Sequence, residues 1–147
     1  MNVVLKAEGD AFWENDRITF AAIDEDLSTN IIIGEIDLFN RDAFNHHAEV
    51  GVWVDEKYRR KGYASEMLRQ ILLVTSPMPS IYMLYADIVE SNHASQNLFT
   101  KAGFQRSCIL PQWHFNGMEY ENVVRYTIIP SMEDDMCDIA CKGSKIQ

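Results

Sequence analysis

Between Ala48 and Val74 the chain changes period once, and that change constrains the fold more than any other feature. "AEVGVWV" (Ala48 to Val54) is an apolar run of strand length, which predicts a central strand buried on both faces. From Tyr63 the residues Ala64, Met67, Leu68, Ile71, Leu72 and Thr75 recur at the i, i+3, i+4, i+7, i+8 spacing of an amphipathic helix. Joining them is "DEKYRRKG", a short loop that concentrates Arg59, Arg60 and Lys61 just before Gly62. A strand feeding a basic, glycine-bearing loop and then a helix is an α/β unit with an anion site built in. The first-turn amides of a helix lack internal acceptors, and its dipole places partial positive charge there. Gly62 lets backbone approach a ligand closely, and Ala64 is small for the same reason. The G-x4-G-K-[ST] pattern of a nucleotide-triphosphate loop is not present, and a basic triplet alone is as often a solvated surface.

The remaining elements follow the same logic. "RITFAAI" (Arg17 to Ile23) and "IIIGEIDLF" (Ile31 to Phe39) read as an antiparallel pair, the second with Ile36 and Leu38 on one face and Glu35 and Asp37 on the other. "SPMPS" stops the helix, and "IYMLYADIV" (Ile81 to Val89) is a second buried strand. Ser91 to Ala102 predicts a shorter helix, capped by Ser91 or Asn92 and ended by Gly103. "FQRSCIL" and "VVRYTII" are closing strands, joined through an Asn116-Gly117 hairpin turn. The expected order is β-β-β-α-β-α-β-β in one domain over residues 1–129, followed by a polar tail at 130–147.

Charge narrows the partners. With 13 Lys and Arg against 22 Asp and Glu the net charge is -9, which argues against nucleic acid and slightly favours a cationic substrate. No apolar run reaches membrane-spanning length, and "MNVVLKAEGD" lacks the layout of a signal peptide, so a cytoplasmic protein is expected. Cys108, Cys137 and Cys141 are odd in number and lack a histidine or second pair nearby; free thiols and no metal are expected.

A second segment, "NHASQNLFTKAGF" (Asn92 to Phe104), follows a strand as the basic loop does. Together with "VWVDEKYRRKGYASEML" it resembles the two signature segments of the GNAT superfamily of acetyl-CoA-dependent N-acyltransferases. The first is similar to that family's Q/R-x-x-G-x-G/A pyrophosphate loop, the second to its N-x-x-(A/S)-x-x-L-Y-x-K-x-G-F helix. The resemblance covers about Arg17 to Ile129, and "IGEIDLF…AEVGVWV" and "FNGMEYENVVRYTI" are similar to the branch holding spermidine and ribosomal-protein-alanine acetyltransferases.

The resemblance implies an α/β (α+β) GNAT fold, a mixed and mostly antiparallel sheet with flanking helices and acetyl-CoA wedged between two central strands. It implies that backbone groups of Trp53 and Val54 pair with the pantetheine arm. The amides of Arg60, Lys61, Gly62, Tyr63 and Ala64, with the charge of Arg59, would hold the pyrophosphate. Asn92, Ser95 and Phe99 would line the other side. Glu49 matches the strand glutamate that serves many members as general base; an amine near pKa 10 must lose a proton before it attacks a thioester. The family implies a small amine or a protein N-terminus as acceptor and leaves room for a homo-oligomer.

Two departures stand out. Phe99 occupies the place of the tyrosine that, in many relatives, protonates the leaving thiolate; Tyr63, Tyr85 and Tyr120 are substitutes the sequence does not distinguish. Relatives also carry a strand and two helices before the first hairpin. Only about sixteen residues precede Arg17, with "EGDAFWEND" as the remnant of one helix. These departures support an alternative, an acyl-CoA-binding module without catalysis. Weaker candidates for the acceptor side are Glu35, Asp37 and Tyr120. His46 and His47 read as solvated loop residues, Trp113 as a packed aromatic beside His114, and Phe12 and Trp13 as buried against the sheet.

Overall fold

A computed structural model of the chain describes residues 1–8, 13, 15–27 and 31–131. Its elements are β1 (Val3–Ala7), β2 (Ile18–Asp24), β3 (Ile32–Asp42), β4 (His47–Val54), a single 3-10 turn (Glu56–Tyr58), α1 (Tyr63–Thr75), β5 (Met83–Val89), α2 (His93–Lys101), β6 (Gln105–Phe115) and β7 (Tyr120–Ile128). The strands form one seven-stranded sheet in the order β1-β2-β3-β4-β5-β7-β6. All neighbours are antiparallel except β4 and β5, which run parallel with α1 as the crossover between them.

One face of the sheet is buried. Ile36 and Leu38 of β3, Ala48 and Val50 of β4, Leu84, Ala86 and Ile88 of β5, and Val124 and Tyr126 of β7 form a continuous core with Met67, Leu68, Ile71 and Leu72 of α1 and Phe99 of α2. Side chains alternate across a strand, so the residues between these point to the other face. There β4 presents His47, Glu49, Gly51 and Trp53, none of them buried. The expectation that Ala48 to Val54 is covered on both faces is therefore corrected: both helices lie on one side, and Trp53 is 51% exposed on the other.

The beginning and the end of the sheet also differ from the sequence reading. Val3–Ala7 pairs with β2 as an edge strand, which the reading of residues 1–16 as a helix remnant did not include. The rest of that remnant falls largely on residues outside the described ones. The tail is likewise outside from residue 132 onward. β6 and β7 are longer than expected, and Asn116 to Glu119 form a four-residue loop closed by the Asn116 amide donating to the Glu119 carbonyl, not a two-residue turn. Trp113 is exposed on β6, contrary to a packed aromatic, because β6 is the outer edge and no described element lies over it. Trp13 is half-buried, with the Arg41 guanidinium 4.9 Å above its ring.

Candidate active site

The parallel pair β4–β5 is in register only from His47↔Met83 through Ala48↔Leu84 to Glu49↔Tyr85. Beyond Glu49 the strands part. β4 goes on to Val54 beside β3, and β5 goes on to Val89 beside β7. The wedge between them is a cavity of about 240 Å³ walled by Val50, Gly51 and Val52 on one side, Asp87 and Val89 on the other, and Asn92, Ser95 and Phe99 of α2 at its end. Residues 50–54 of β4 thus have no partner strand on the side of this gap. The Val54 carbonyl is already taken, since it accepts from Arg59 Nε at 2.9 Å.

A second cavity, about 310 Å³, continues from the first at Ser95 and is bounded by Arg59, Arg60, Gly62, Tyr63, Ala64 and Ser65. Gly62 precedes α1 at φ 88 and provides no side-chain cap. Among the described residues, the amides of Arg60, Lys61, Gly62, Tyr63, Ala64 and Ser65 donate to no backbone acceptor. A helix start with uncapped donors and flanking cations has the chemistry to hold an anion. The three cations differ: Arg59 is anchored on β4, Lys61 has its ammonium 5.8 Å from the Tyr58 ring centre, and Arg60 is held at φ 61 on the cavity wall. Tyr63 is oriented away, its hydroxyl donating to Asp24 Oδ2 at 2.6 Å in a buried bond. That bond, more than burial, raises the phenol to about 12 and removes Tyr63 as a proton donor for chemistry in the gap.

Asn92 caps α2 by accepting from the Ser95 amide at 3.2 Å, so the helix start is fixed at the mouth of the gap. Phe99 is buried at 4% exposure and packs edge-on against Phe104, its ring centre 5.0 Å away. It offers the gap a hydrocarbon surface and no proton.

Glu49 sits at the last paired position before the strands part, on the face without helices. Burial raises its pKa above the usual carboxylate value, opposed by Asn40 Nδ2, which donates to Oε1 at 3.2 Å. Across the pair stands Tyr85, whose phenol is also raised, first by burial and then by the Glu49 charge. His47, two residues before Glu49 on the same face, meets Tyr85 edge-on at 5.7 Å, and its Nδ1 is buried without a hydrogen-bond partner. Asp87 and Arg125 complete the cluster as a two-bond ion pair at 2.8 and 2.9 Å, with the guanidinium 4.4 Å from the Tyr85 ring centre.

His47, Tyr85, Asp87 and Arg125 are thus gathered around Glu49. His47 belongs to β4, correcting its reading as a solvated loop residue, whereas His46 is exposed at φ 59. The signal was present as period-two spacing, His47-x-Glu49 and Tyr85-x-Asp87, but the pairing of the two strands is needed to see it. Of the weaker candidates, Glu35 and Asp37 share Glu49's face through the β3–β4 register. Asp37 is already engaged, accepting from Thr19 Oγ1 at 2.6 Å with Arg17 at 3.5 Å. Tyr120 lies at the hairpin end against Phe115 and is 65% exposed, outside both cavities. Among the described residues no three His, Cys, Asp or Glu side chains are grouped as metal ligands, and no helix is long and apolar enough to cross a membrane.

Comparison with known proteins bears on this geometry. A family profile described as an acetyltransferase (GNAT) domain matches residues 5–105. YwnH of Bacillus subtilis (strain 168), provisionally named a phosphinothricin acetyltransferase, is 34% identical over 95 residues, 65% of this chain and 58% of its own. YoaA of the same organism, an uncharacterized N-acetyltransferase, is 28% identical over 110 residues, 74% of this chain and 62% of its own. The match therefore spans about three fifths of the length of these relatives. The Vibrio cholerae spermidine N-acetyltransferase in complex with CoA and spermine superposes with a TM-score of 0.72 at 20% identity, covering 79% of this chain and 67% of that one. A dodecameric structure of the same enzyme gives 0.73 at 20% identity, over 83% and 70%. These structures establish likeness of fold.

Proposed function

The chain belongs to the GNAT acetyltransferase family, and from that premise we propose that it moves an acetyl group from acetyl-CoA to a primary amine by direct attack. The observation that carries this reading is the parting of β4 and β5 immediately after Glu49, with the resulting gap opening onto the uncapped start of α1. The gap has the form to take the extended pantetheine arm, whose amides would bond the free edge of β4 at Gly51 to Trp53. The amides of Arg60 to Ala64 would hold the pyrophosphate, with Arg60 supplying charge. Asn92, Ser95 and Phe99 would close the arm in from the other side.

The acceptor arrives from the face without helices, where Glu49 lies. Its ammonium, of pKa about 10, is almost wholly protonated at neutral pH. Glu49 takes that proton, directly or through water, and the raised carboxylate pKa narrows the mismatch between base and ammonium. The neutral nitrogen attacks the thioester carbonyl carbon, a C–N bond forms, the C–S bond breaks, and coenzyme A leaves as a thiolate. By analogy with cysteine its pKa is about 8.5, so departure is tolerable without an acid at Phe99. Glu35 and the net charge of -9 favour a multiply charged acceptor such as a polyamine over a singly charged peptide N-terminus. The spermine complex of the Vibrio cholerae enzyme is consistent with that preference.

The buried phenyl of Phe99 supports a second reading, an acyl-CoA-binding module. Thiol release from acetyl-CoA, measured with a panel of polyamines, small amines and peptides alongside calorimetric CoA binding, separates the two. Amine-dependent release supports transfer; binding without release by any amine supports the module; neither would sink both.

A further inference from the structure

The helices stop short of one edge of the sheet. α2 reaches as far as β7, where the Tyr126 hydroxyl donates to Gln96 Oε1 at 3.0 Å, and β6 beyond it is exposed at every position but Leu110. Large apolar side chains lie bare there. Ile109 pairs with Val124 and Phe115 with Tyr120, so strand alternation sets Ile109, Phe115 and Tyr120 on the face that carries Val124 and the helices. Trp113, two residues before Phe115, shares that face, and Met118 stands at the tip of the hairpin joining β6 and β7. These five side chains belong to residues 46–93% exposed, an apolar patch of the kind that marks a contact surface. Residues 107–118 also include no Asp, Glu, Lys or Arg.

Charge and size together choose the occupant. At a net charge of -9, two copies of the chain repel one another unless they meet where carboxylates are missing, and the hairpin is such a place. At about 150–250 Å² for a whole aromatic side chain, the exposed parts of these five amount to roughly 600 Å². A small specific interface takes about that much from each partner. We infer that the β6–β7 hairpin is a self-association surface, on which a second copy of this chain packs the same face around a two-fold axis. Trp113, Phe115 and Tyr120 form its centre and Met118 its rim. Side chains make this contact, not strand addition. Pro111 has no N–H to donate, Gln112 lies at φ 51, and the register with β7 breaks between Leu110 and His114, so β6 offers no continuous edge. None of the five lines the strand gap or the loop cavity, so the surface stands apart from the proposed cofactor path.

The test is sedimentation velocity of the full chain over a dilution series, with a reductant present because Cys108 is exposed. Wild type should pass from two copies to one on dilution. Trp113→Glu sets a carboxylate against its own copy at the centre of the contact and should raise the dimer Kd at least about thirtyfold, as for loss of a central aromatic. Trp113→Phe keeps an aromatic there and should stay largely dimeric. Phe44→Glu, on the exposed turn between β3 and β4 at the other end of the sheet, adds the same charge and should dimerise as wild type does. Circular dichroism checks that each variant is folded, and Met118→Glu, at the bare tip, gives the same reading if Trp113→Glu does not fold. A wild type that sediments as one copy throughout overturns the inference, and flotation of that monomer with phosphatidylcholine vesicles would assign the hairpin to lipid instead. A dimer that the Trp113 and Met118 variants leave intact overturns it as well, placing the contact elsewhere on the chain.

Discussion

Gly62→Val tests the helix start in two independent ways. Gly62 lies at φ 88, in the left-handed region that side chains disfavour. An added Cβ there would meet only Met1 Cε, at 3.9 Å, so the structural cost is conformational and not steric. A left-handed L-residue costs about 1–2 kcal/mol, and a β-branched one lies at the upper end. For a domain of this size about 2 kcal/mol lowers Tm by roughly 4–8 °C. Gly117, in the hairpin loop at φ 97 with nothing within 4 Å of an added Cβ, supplies the control: Gly117→Val should cost a similar amount. The variants part in ligand binding. At Gly62 the valine would stand over the amides proposed to hold the pyrophosphate and weaken coenzyme A at least about tenfold, or 1.4 kcal/mol. At Gly117 affinity should not change. Calorimetry on folded protein, with scanning calorimetry for Tm, reads both terms. Unchanged coenzyme A affinity in Gly62→Val would refute the assignment of this loop.

Three further outcomes are expected. Tyr63→Phe removes the bond that, more than any other cause, holds Asp24 below the usual carboxylate range and raises Tyr63 to about 12. The stability it removes is present at neutral pH. In wild type it is lost below about pH 3.8 as Asp24 protonates, and again as pH rises from 10 through about 12. The Tm gap between wild type and variant should therefore narrow at both ends of a pH series. Asp87→Asn removes a charge that, after burial, helps to raise Glu49, so the acidic limb of kcat/KM against pH should move to lower pH. With a net charge of -9, mobility-shift assays at physiological salt should show no duplex DNA binding.

What the sequence disclosed divides along a physical line. Local periodicity and capping are short-range, so α1, α2, a cap at Ser91 or Asn92 and the Gly103 stop could be read from neighbouring residues, and the structure places the cap at Asn92. The first signature segment carried the basic loop for the same reason. Pairing is long-range. That β4 and β5 separate after Glu49, and that His47, Tyr85, Asp87 and Arg125 converge there from three strands, depends on a register no local pattern encodes. Val3–Ala7 was missed because "VVLKA" is short and shows no clean alternation; it becomes a strand by pairing with β2. Trp113 misled because aromatic residues are usually assumed to pack, whereas its strand lies at the edge of the sheet.

The central claim is that Glu49 deprotonates an amine at the point where the strands part. Glu49→Gln preserves shape and removes the base, so the pH–rate profile of that variant is the most direct measurement. The account predicts unchanged coenzyme A affinity and a fall in kcat of roughly 10²- to 10⁴-fold at neutral pH. Much of that rate should return as rising pH supplies free amine. Wild-type turnover by Glu49→Gln from about pH 6 to about pH 9, across which a base of raised carboxylate pKa should matter, would contradict it.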